Sequence, residues 1–216
     1  MKRSESERIA VVYLAAGFSK RMGRPKQSLA WPDGNGYLGG EALRAALRSQ
    51  EMNRIYIVVR PDDELIWMPE QALLDDRCMV VPCSSAVEGL SSSLQAGVAA
   101  AEEAHAEAVV VILGDQPFID SNHLDSLVRC WRQSLGLDYA ASLDEDVMKP
   151  PVLLASSLYE AAYMLRGDEG ARRLLGDGAL RGAFVRAEPH FFYDVDTAED
   201  WDKVCKWRDQ GLVSGT

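Results

Sequence analysis

The sequence predicts an α/β fold, arranged as a three-layer α/β/α domain around a mainly parallel, twisted sheet. Short apolar runs that are typical of buried strands alternate along the chain with segments of helical periodicity. The clearest run, Ala108 to Leu113, contains no polar residue, as expected of a strand that is covered by helices on both faces. At 216 residues the chain is long enough for one sizeable core, and it contains no internal repeat or long linker. We therefore expect one domain over residues 1–216, with its functional motifs between about 8 and 210.

In the first half of the chain, predicted strands alternate with predicted helices. The strands are apolar and rich in β-branched residues, and they are expected at Ile9 to Leu14, Ile55 to Val59, Cys78 to Val81 and Ala108 to Leu113. The helices carry apolar residues at helical spacing, and they are expected at about Glu41 to Gln50, Pro61 to Leu74 and Ser91 to Ala104, with a fourth that begins near Asp120. This alternation predicts a mainly parallel sheet with helices on both faces.

The last third of the chain mixes short strands with short helical segments. Strands are expected at Tyr139 to Leu143, Val152 to Ala155 and near Phe184 to Ala187. Helical patterns follow at Ser157 to Arg166, Glu169 to Leu175 and about Thr197 to Gln210. Thr197 and Asp200 have the spacing of a capping-box variant, so the sequence predicts that the last helix begins there.

Charge and composition exclude several classes of protein. The formal net charge of −10 argues against a nucleic-acid binder, which usually presents a basic face. No apolar run approaches the ~18 residues of a membrane span, and the polar stretch from Met1 to Arg8 does not resemble a secretory signal. The four cysteines have neither Cys-x-x-Cys nor zinc-site spacing. We therefore expect reduced thiols in a cytoplasmic protein, with no membrane and no nucleic acid as partner.

The stretch from Leu14 to Gln27 joins the first strand to a cluster of positive charge. Two small residues and a glycine end the strand and let the backbone approach a ligand closely: Ala15, Ala16 and Gly17. Basic residues follow within seven positions and favour an anionic ligand such as phosphate: Lys20, Arg21, Arg24 and Lys26. The spacing fits neither a P-loop nor the Gly-x-Gly fingerprint of dinucleotide sites. A basic surface turn is the alternative.

This loop resembles the L-A-A-G-x-S-x-R-M-G-x-x-K pattern of nucleotidyltransferases, above all the molybdenum-cofactor cytidylyltransferase family, and every fixed position of the pattern is present. Further motifs extend the resemblance from Val11 to Asp200 and imply a Rossmann-like nucleotidyltransferase fold. The resemblance implies that Arg21 of this chain holds the leaving pyrophosphate and that Lys26 stabilises charge near the α-phosphate. The nucleoside would contact the end of the strand at Leu14, Ala15, Ala16 and Gly17. The two-alanine form is similar to the cytidylyl branch, which implies CTP, whereas the guanylyl branch has a second glycine.

Two aspartates are the candidate metal ligands. Asp115 follows the most apolar strand in the sequence Leu-Gly-Asp-Gln-Pro, and strand ends of this kind form the ligand crevice of open α/β sheets. Asp196 lies in Asp-Val-Asp-Thr-Ala-Glu-Asp, which resembles the family's D-x-D-T-P-E-D motif. The resemblance implies that both carboxylates bind Mg²⁺, with Mn²⁺ as a substitute. The alternatives are a turn or helix N-cap at Asp115 and a favourable charge at the start of the last helix at Asp196.

Two further motifs contain glycine. Glu88 to Gly97 resembles a family element at a helix start, so Gly89, Ser91 and Ser92 are candidate nucleotide-binding residues, with simple helix capping as the alternative. Gly167 to Arg172 matches the family's G-D-x-G-A-R element, which a glycine-rich turn before a helix would also explain. The chain departs from the family at Lys149-Pro150-Pro151, where G-H-P is usual, and at Gly34 to Gly40, where G-x-P-L-L is usual. Both departures concern the expected acceptor side.

The resemblance implies transfer of CMP from CTP to the phosphate of molybdopterin or molybdenum cofactor, with release of pyrophosphate. An ionised acceptor phosphate needs no general base, and none of the three histidines lies in a motif. A sugar phosphate or another alcohol phosphate is the alternative acceptor. An alternative of another class is a non-catalytic accessory protein that delivers molybdenum cofactor to a molybdenum hydroxylase such as xanthine dehydrogenase.

Overall fold

The computed structural model describes residues 8–176 and 178–210. Seven strands form one sheet in the order β3-β2-β1-β4-β6-β5-β7. The strands are β1 (Ile9–Leu14), β2 (Arg54–Val59), β3 (Cys78–Pro82), β4 (Ala108–Leu113), β5 (Tyr139–Asp144), β6 (Val147–Ala155) and β7 (Gly182–Arg186). Strand β6 runs antiparallel to both of its neighbours, and the other pairings are parallel. The predicted α/β fold with a mainly parallel sheet is confirmed.

The α-helices of the described residues are α1 (Leu38–Arg48), α2 (Glu70–Leu74), α3 (Leu90–Glu103), α4 (Ser121–Arg132), α5 (Tyr159–Tyr163) and α6 (Ala198–Asp209). Helices α1, α4 and α6 share a buried cluster with one face of the sheet, and α3 and α5 share a second cluster with the other face. The central strand β1 is buried at every position, and its residues alternate between the two clusters. No helix in residues 8–176 or 178–210 is long and apolar enough to span a membrane.

The predicted helix over Pro61 to Leu74 is wrong, because only its last five residues are helical, in α2. Asp63 closes a local turn: its Oδ1 accepts hydrogen bonds from the Leu65 backbone N–H at 2.9 Å and from Trp67 Nε1 at 3.0 Å. Leu65 has a φ of 57°, which a right-handed helix cannot contain. Pro69 also disfavours a helical conformation in the residue before it.

The helical patterns in the last third are shorter than predicted. Only residues 159–163 form an α-helix within the first of them, and residues 171–176 form a 3₁₀ helix within the second. Strand β6 begins five residues earlier than predicted, at Val147, because Asp144 to Val147 makes a tight connection to β5. The predicted capping box of α6 is confirmed, since Thr197 Oγ1 accepts the Asp200 N–H at 3.2 Å and the Thr197 N–H donates to Asp200 Oδ2 at 3.0 Å.

Candidate active site

The two candidate metal ligands, Asp115 and Asp196, come together at the carboxyl end of the sheet. Asp115 follows β4 and Asp196 precedes α6, and the Val195 N–H donates to the Asp115 carbonyl oxygen at 3.0 Å. Lys26 bridges the two side chains: its Nζ lies 2.6 Å from Asp115 Oδ2 and 2.8 Å from Asp196 Oδ1. Three residues from distant parts of the chain therefore form one charged cluster at the strand ends, where ligands of α/β proteins bind.

Arg21 is the second predicted catalytic residue, and it lies at the outer side of this cluster. Its guanidinium donates to Asp196 Oδ2 at 2.6 Å. The Arg21 side chain is 69% exposed, whereas that of Lys26 is 8% exposed. Arg21 can therefore turn toward a ligand from solvent, while Lys26 acts from a nearly buried position.

The electrostatics keep Lys26 charged and perturb a neighbouring acid. Burial by itself lowers the pKa of Lys26, but the contacts with the Asp115 and Asp196 carboxylates outweigh it, so the net shift of the pKa is upward. Burial, followed by the nearby Asp115 charge, raises the pKa of Asp194 to about 6. The Gln116 amide opposes that rise by donating to Asp194 Oδ1 at 2.9 Å.

The residues present fit a hard divalent cation. Asp115 Oδ1 is buried and accepts no hydrogen bond from the described residues, so one carboxylate oxygen is left for another partner. Magnesium in nucleotide enzymes commonly binds one or two carboxylates and completes its shell with substrate phosphates and waters. Within the described residues no group of three or more His, Cys, Asp or Glu could hold a metal ion, so the candidate site rests on these two carboxylates.

The first loop is held by contacts that the sequence analysis did not identify. Ala15 and Ala16 are buried, and the Ala15 N–H donates to the Val58 carbonyl at 2.9 Å, which ties the loop to β2. Ser19 adopts a φ of 49°, and its Oγ accepts the Lys26 N–H at 3.1 Å. This bond closes the loop and positions Lys26. The fixed serine of the family pattern was the signal that could have identified it.

The other basic residues and the glycine of the loop face solvent. Lys20 and Arg24 are exposed and form no ion pair with the described residues. Gly17 is exposed, and a Cβ at this position would meet no atom within 4 Å. The open space around Gly17 leaves room for a ligand against the loop backbone.

The start of α3 packs against the G-D-x-G-A-R element. Gly89 has a φ of 121°, and a Cβ there would lie 2.3 Å from the carbonyl carbon and oxygen of Gly167. The Ser91 N–H donates to the Gly167 carbonyl at 2.9 Å, so this N–H is not available to a ligand. The hydroxyls of Ser91 and Ser92 lie in buried residues and make no hydrogen bond to the described part of the chain. These hydroxyls can still contact a ligand.

The two departures from the family pattern have structural roles. Lys149 pairs with Asp144, Nζ to Oδ2 at 2.7 Å, and its ammonium lies 5.4 Å from the centre of the Phe192 ring. Gly34 and Gly36 lie in the turn that leads into α1, and Gly39 and Gly40 lie in the first turn of that helix. Gly39 is required there because a Cβ would lie 2.8 Å from the Gln27 and Trp67 side chains.

The chain is similar to known proteins over most of its length. Residues 11–183 match the family described as "MobA-like NTP transferase domain". The Purine catabolism protein PucB of Bacillus subtilis (strain 168) is 35% identical over 199 residues, which cover 89% of this chain and 94% of that protein.

Two solved structures share the fold. Rv0371c of Mycobacterium tuberculosis H37Rv in complex with manganese is 21% identical with a TM-score of 0.72, and the match covers 92% of this chain and 98% of that one. Molybdopterin-guanine dinucleotide biosynthesis protein A of Archaeoglobus fulgidus is 17% identical with a TM-score of 0.66, over 94% and 99% of the two chains. The family match spans most of the sequence and contains the loop and Asp115. The chain therefore belongs to the family of MobA-like NTP transferase domains.

Proposed function

We propose that this protein is a Mg²⁺-dependent nucleotidyltransferase that transfers CMP from CTP to the phosphate of molybdopterin or molybdenum cofactor and releases pyrophosphate. The observation that carries the proposal is the cluster of Lys26, Asp115 and Asp196, with contacts of 2.6 and 2.8 Å, beside the glycine loop at the strand ends. A positive charge and two carboxylates that can hold a metal ion are groups that stabilise the charge of the phosphates during nucleotidyl transfer. Membership of the family supports the reaction class.

The reaction needs positioning and charge stabilisation more than acid–base chemistry. An ionised oxygen of the acceptor phosphate attacks the α-phosphorus of CTP and forms a P–O bond. The bond from the α-phosphorus to the bridging oxygen of the β-phosphate breaks, and pyrophosphate leaves with that electron pair. The attacking oxygen carries no proton, so no side chain has to remove one.

Each residue of the cluster has a role in this proposal. Lys26 leaves the carboxylates and places its ammonium beside the α-phosphate, where charge is redistributed. Arg21, which is exposed, holds the leaving pyrophosphate. When bound by Asp115 and Asp196, Mg²⁺, or Mn²⁺ in its place, would neutralise phosphate charge and supply Lewis-acid chemistry. One relative of the same fold was solved in complex with manganese.

The nucleoside is proposed to bind between the loop and the start of α3. Leu14, Ala15, Ala16 and Gly17 would contact it through their backbone, and Gly89, Ser91 and Ser92 would bind it from the other side. Both alanines are buried, so a methyl group at Ala16 limits the space and backbone freedom there. This restriction is the reason to propose CTP over the larger GTP.

A second candidate function is a non-catalytic accessory protein for a xanthine dehydrogenase-type molybdenum hydroxylase. The name of one relative, Purine catabolism protein PucB, favours a place in purine breakdown. The two candidate functions differ in whether the protein must catalyse nucleotidyl transfer at the charged cluster. A catalytic protein loses its effect on the hydroxylase with Asp115→Asn, whereas an accessory protein that only carries the cofactor retains it.

The decisive experiment measures pyrophosphate release from each of the four ribonucleoside triphosphates with Mg²⁺ and molybdopterin. We expect CTP to be the best substrate, and we expect Ala16→Gly to narrow its advantage over GTP. Asp115→Asn or Asp196→Asn should reduce turnover at least ~10²-fold, the scale for losing one charge-stabilising group. Replacing molybdopterin with ribose 5-phosphate tests the sugar-phosphate alternative. Wild-type turnover in the folded Asp115→Asn protein would refute the proposed metal site, and a preference for GTP would refute the choice of nucleotide.

A further inference from the structure

Gln116 is a buried amide that directly follows the candidate metal ligand Asp115. The residue is 2% exposed, and its Nε2 donates to Asp194 Oδ1 at 2.9 Å. Its Oε1 is buried as well and accepts no hydrogen bond from the described residues. Burying an amide with one half unpaired costs free energy that an aliphatic side chain of the same size would not cost. Core packing therefore does not explain Gln116, whereas its bond to Asp194 does.

The bond from Gln116 to Asp194 joins the two segments that carry the candidate metal ligands. It lies beside a backbone bond between the same segments, in which the Val195 N–H donates to the Asp115 carbonyl at 3.0 Å. Asp115 belongs to the first segment and Asp196 to the second. Each ligand is therefore within two residues of a contact that ties its segment to the other.

Both segments are also fixed by their own surroundings. The Gln116 N–H donates to the Leu113 carbonyl at 3.3 Å, which closes the turn after β4. On the other segment Val195 is buried in the core, and the Asp196 N–H donates to Asp200 Oδ2 at 3.3 Å at the start of α6. A hydrogen bond between two fixed segments sets the distance between them more closely than a bond between two mobile side chains.

The bond matters most when Lys26 is no longer between the carboxylates. Lys26 Nζ now lies 2.6 Å from Asp115 Oδ2 and 2.8 Å from Asp196 Oδ1, and its charge draws the two acids together. In the proposed reaction Lys26 turns to the α-phosphate, so this attraction is lost and the like charges repel. The bond between Gln116 and Asp194 uses neither ligand side chain, so it persists at that stage.

We propose that Gln116 is a positioning residue of the metal site and acts by holding Asp194. The bond keeps the carboxylates of Asp115 and Asp196 at a spacing that one divalent cation can bridge. This inference rests on the metal site of the proposed function and adds a residue that acts on the site without being a ligand. Replacing residues that orient metal ligands commonly lowers metal affinity by roughly 10–100-fold.

The test measures binding of Mn²⁺ alone, without nucleotide, from the EPR signal of free Mn²⁺ during a titration with MnCl₂. Gln116→Met removes the donor and keeps an unbranched, uncharged side chain of similar length. Asp194→Asn and Asp194→Ala form a matched pair at an exposed position. Both remove the negative charge, but only asparagine keeps an oxygen that can accept from Gln116.

Gln95→Met is the control for a loss of hydrogen bonding elsewhere. Gln95 lies in α3, and its Nε2 donates at 3.2, 3.1 and 3.0 Å to carbonyl oxygens at and beyond the end of α5, those of Ala162, Tyr163 and Leu165. These contacts include no candidate metal ligand. Gln95→Met should therefore lower the free energy of unfolding in urea and leave the Kd for Mn²⁺ unchanged.

We expect Gln116→Met to raise the Kd for Mn²⁺ at least ~10-fold. Asp194→Ala should raise the Kd more than Asp194→Asn, because only alanine breaks the bond. Adding Gln116→Met to Asp194→Ala should have no further effect, since the bond is already absent and the two changes are coupled.

Equal Mn²⁺ affinity in the wild type and Gln116→Met would overturn the inference. So would equal affinities of the two Asp194 variants, additive effects in the double variant, or a similar rise in Kd for Gln95→Met. If Gln116→Met does not fold, the two Asp194 variants still decide. A wild type that binds Mn²⁺ no more tightly than Asp115→Asn would refute the metal site and this inference with it. If CTP yields no pyrophosphate while the Mn²⁺ results are as expected, the proposed function fails and the role of Gln116 stands.

Discussion

Lys26 Nζ donates a 2.6 Å hydrogen bond to Asp115 Oδ2 across 89 positions of the chain. The same ammonium lies 2.8 Å from Asp196 Oδ1, so it stands between the two carboxylates that we propose as metal ligands. Without a divalent cation, this lysine supplies the positive charge that offsets two partly buried acids. We expect the Lys26 ammonium and a metal ion to compete for the carboxylates of Asp115 and Asp196. This competition can be measured by thermal unfolding, without enzymatic turnover.

Replacing Lys26 with methionine keeps an unbranched side chain of similar length and removes its charge. In EDTA we expect the variant to lose about 1–3 kcal/mol of stability, because Asp115 loses its ion-pair partner and Asp196 keeps only the exposed Arg21. For a chain of this size that loss lowers the Tm by several degrees. MgCl₂ or MnCl₂ should then raise the Tm of the variant more than that of the wild type, since the cation no longer competes with an ammonium. Thermal unfolding with and without metal measures both effects.

Lys20→Met is the control for this experiment. Lys20 lies in the same loop but is exposed and forms no ion pair within the described residues, so its variant should respond to metal like the wild type. An equal response to MgCl₂ in Lys26→Met and wild type would mean that lysine and metal do not share the site.

The four basic residues of the first loop should separate into two pairs in kinetic experiments. Lys26 Nζ lies 2.6 Å from Asp115 Oδ2, and Arg21 Nη2 lies 2.6 Å from Asp196 Oδ2. Alanine at either position should reduce kcat strongly. Lys20→Ala and Arg24→Ala should mainly raise the KM for CTP, and the effect should shrink as salt screens exposed charge. Four similar, salt-dependent losses would show instead that the loop attracts phosphate only by its overall charge.

The sequence predicted the central strands well because their signal is local. The run Ala108–Leu113 is apolar throughout, and the structure has a strand with those bounds. Its position directly after that strand made Asp115 a candidate ligand residue, and the family resemblance favoured a metal ligand over a turn or helix N-cap. The Thr197–Asp200 capping box is likewise a local pattern, and both of its hydrogen bonds are present. Such features need no knowledge of distant contacts.

Other parts of the site depend on tertiary contacts that no local pattern contains. The sequence named Lys26 and the two aspartates only as candidate site residues. It did not predict that Lys26 bridges both carboxylates, a contact that joins residues up to 170 positions apart. The contact of Gly89 with Gly167 also joins distant parts of the sequence. Only the glycine in each motif indicated that the two segments approach each other closely. The helix predicted from Pro61 failed for the opposite reason, because a local side-chain turn at Asp63 overrode the apolar spacing.

Gly89→Ala tests the contact between the start of α3 and the G-D-x-G-A-R element at Gly167. The native φ of 121° disfavours any side chain, and the new Cβ would lie 2.3 Å from backbone atoms of Gly167, which cannot move aside cheaply. We expect a loss of about 1–3 kcal/mol in the free energy of unfolding, measured with urea.

Gly178→Ala is the matched control for that loss. A Cβ there meets no atom within 4 Å, so its effect should stay within about 0.5 kcal/mol. Unchanged stability in Gly89→Ala would mean that the start of α3 can repack without cost.

His123 should make the fold sensitive to acid. It is buried on α4, and its Nε2 lies 2.7 Å from Ser142 Oγ. The Ser142 hydroxyl donates to the Pro151 carbonyl at 2.6 Å, so its oxygen accepts the hydrogen bond from the neutral imidazole. Burial lowers the pKa of His123 from 6.5 to about 4, against the opposing effect of the Asp120 carboxylate. Arg186 and Glu188 line the shallow pocket beside it.

The direction of the pH dependence follows from the difference in proton binding between the folded and unfolded chains. Between pH 6.5 and about 4 the unfolded chain binds a proton at His123 that the folded protein does not, so stability is complete above pH 6.5 and falls as the pH is lowered through this window. From pH 7 to 5.5 the expected loss is about 1 kcal/mol.

His123→Gln keeps a donor toward Ser142 but cannot ionise, so its urea unfolding should lack this part of the pH dependence. His105→Asn is the control, because His105 is exposed with a φ of 54° that asparagine tolerates, and it should retain the full pH dependence. Parallel pH profiles for wild type and His123→Gln would mean that His123 ionises alike in the folded and unfolded chains.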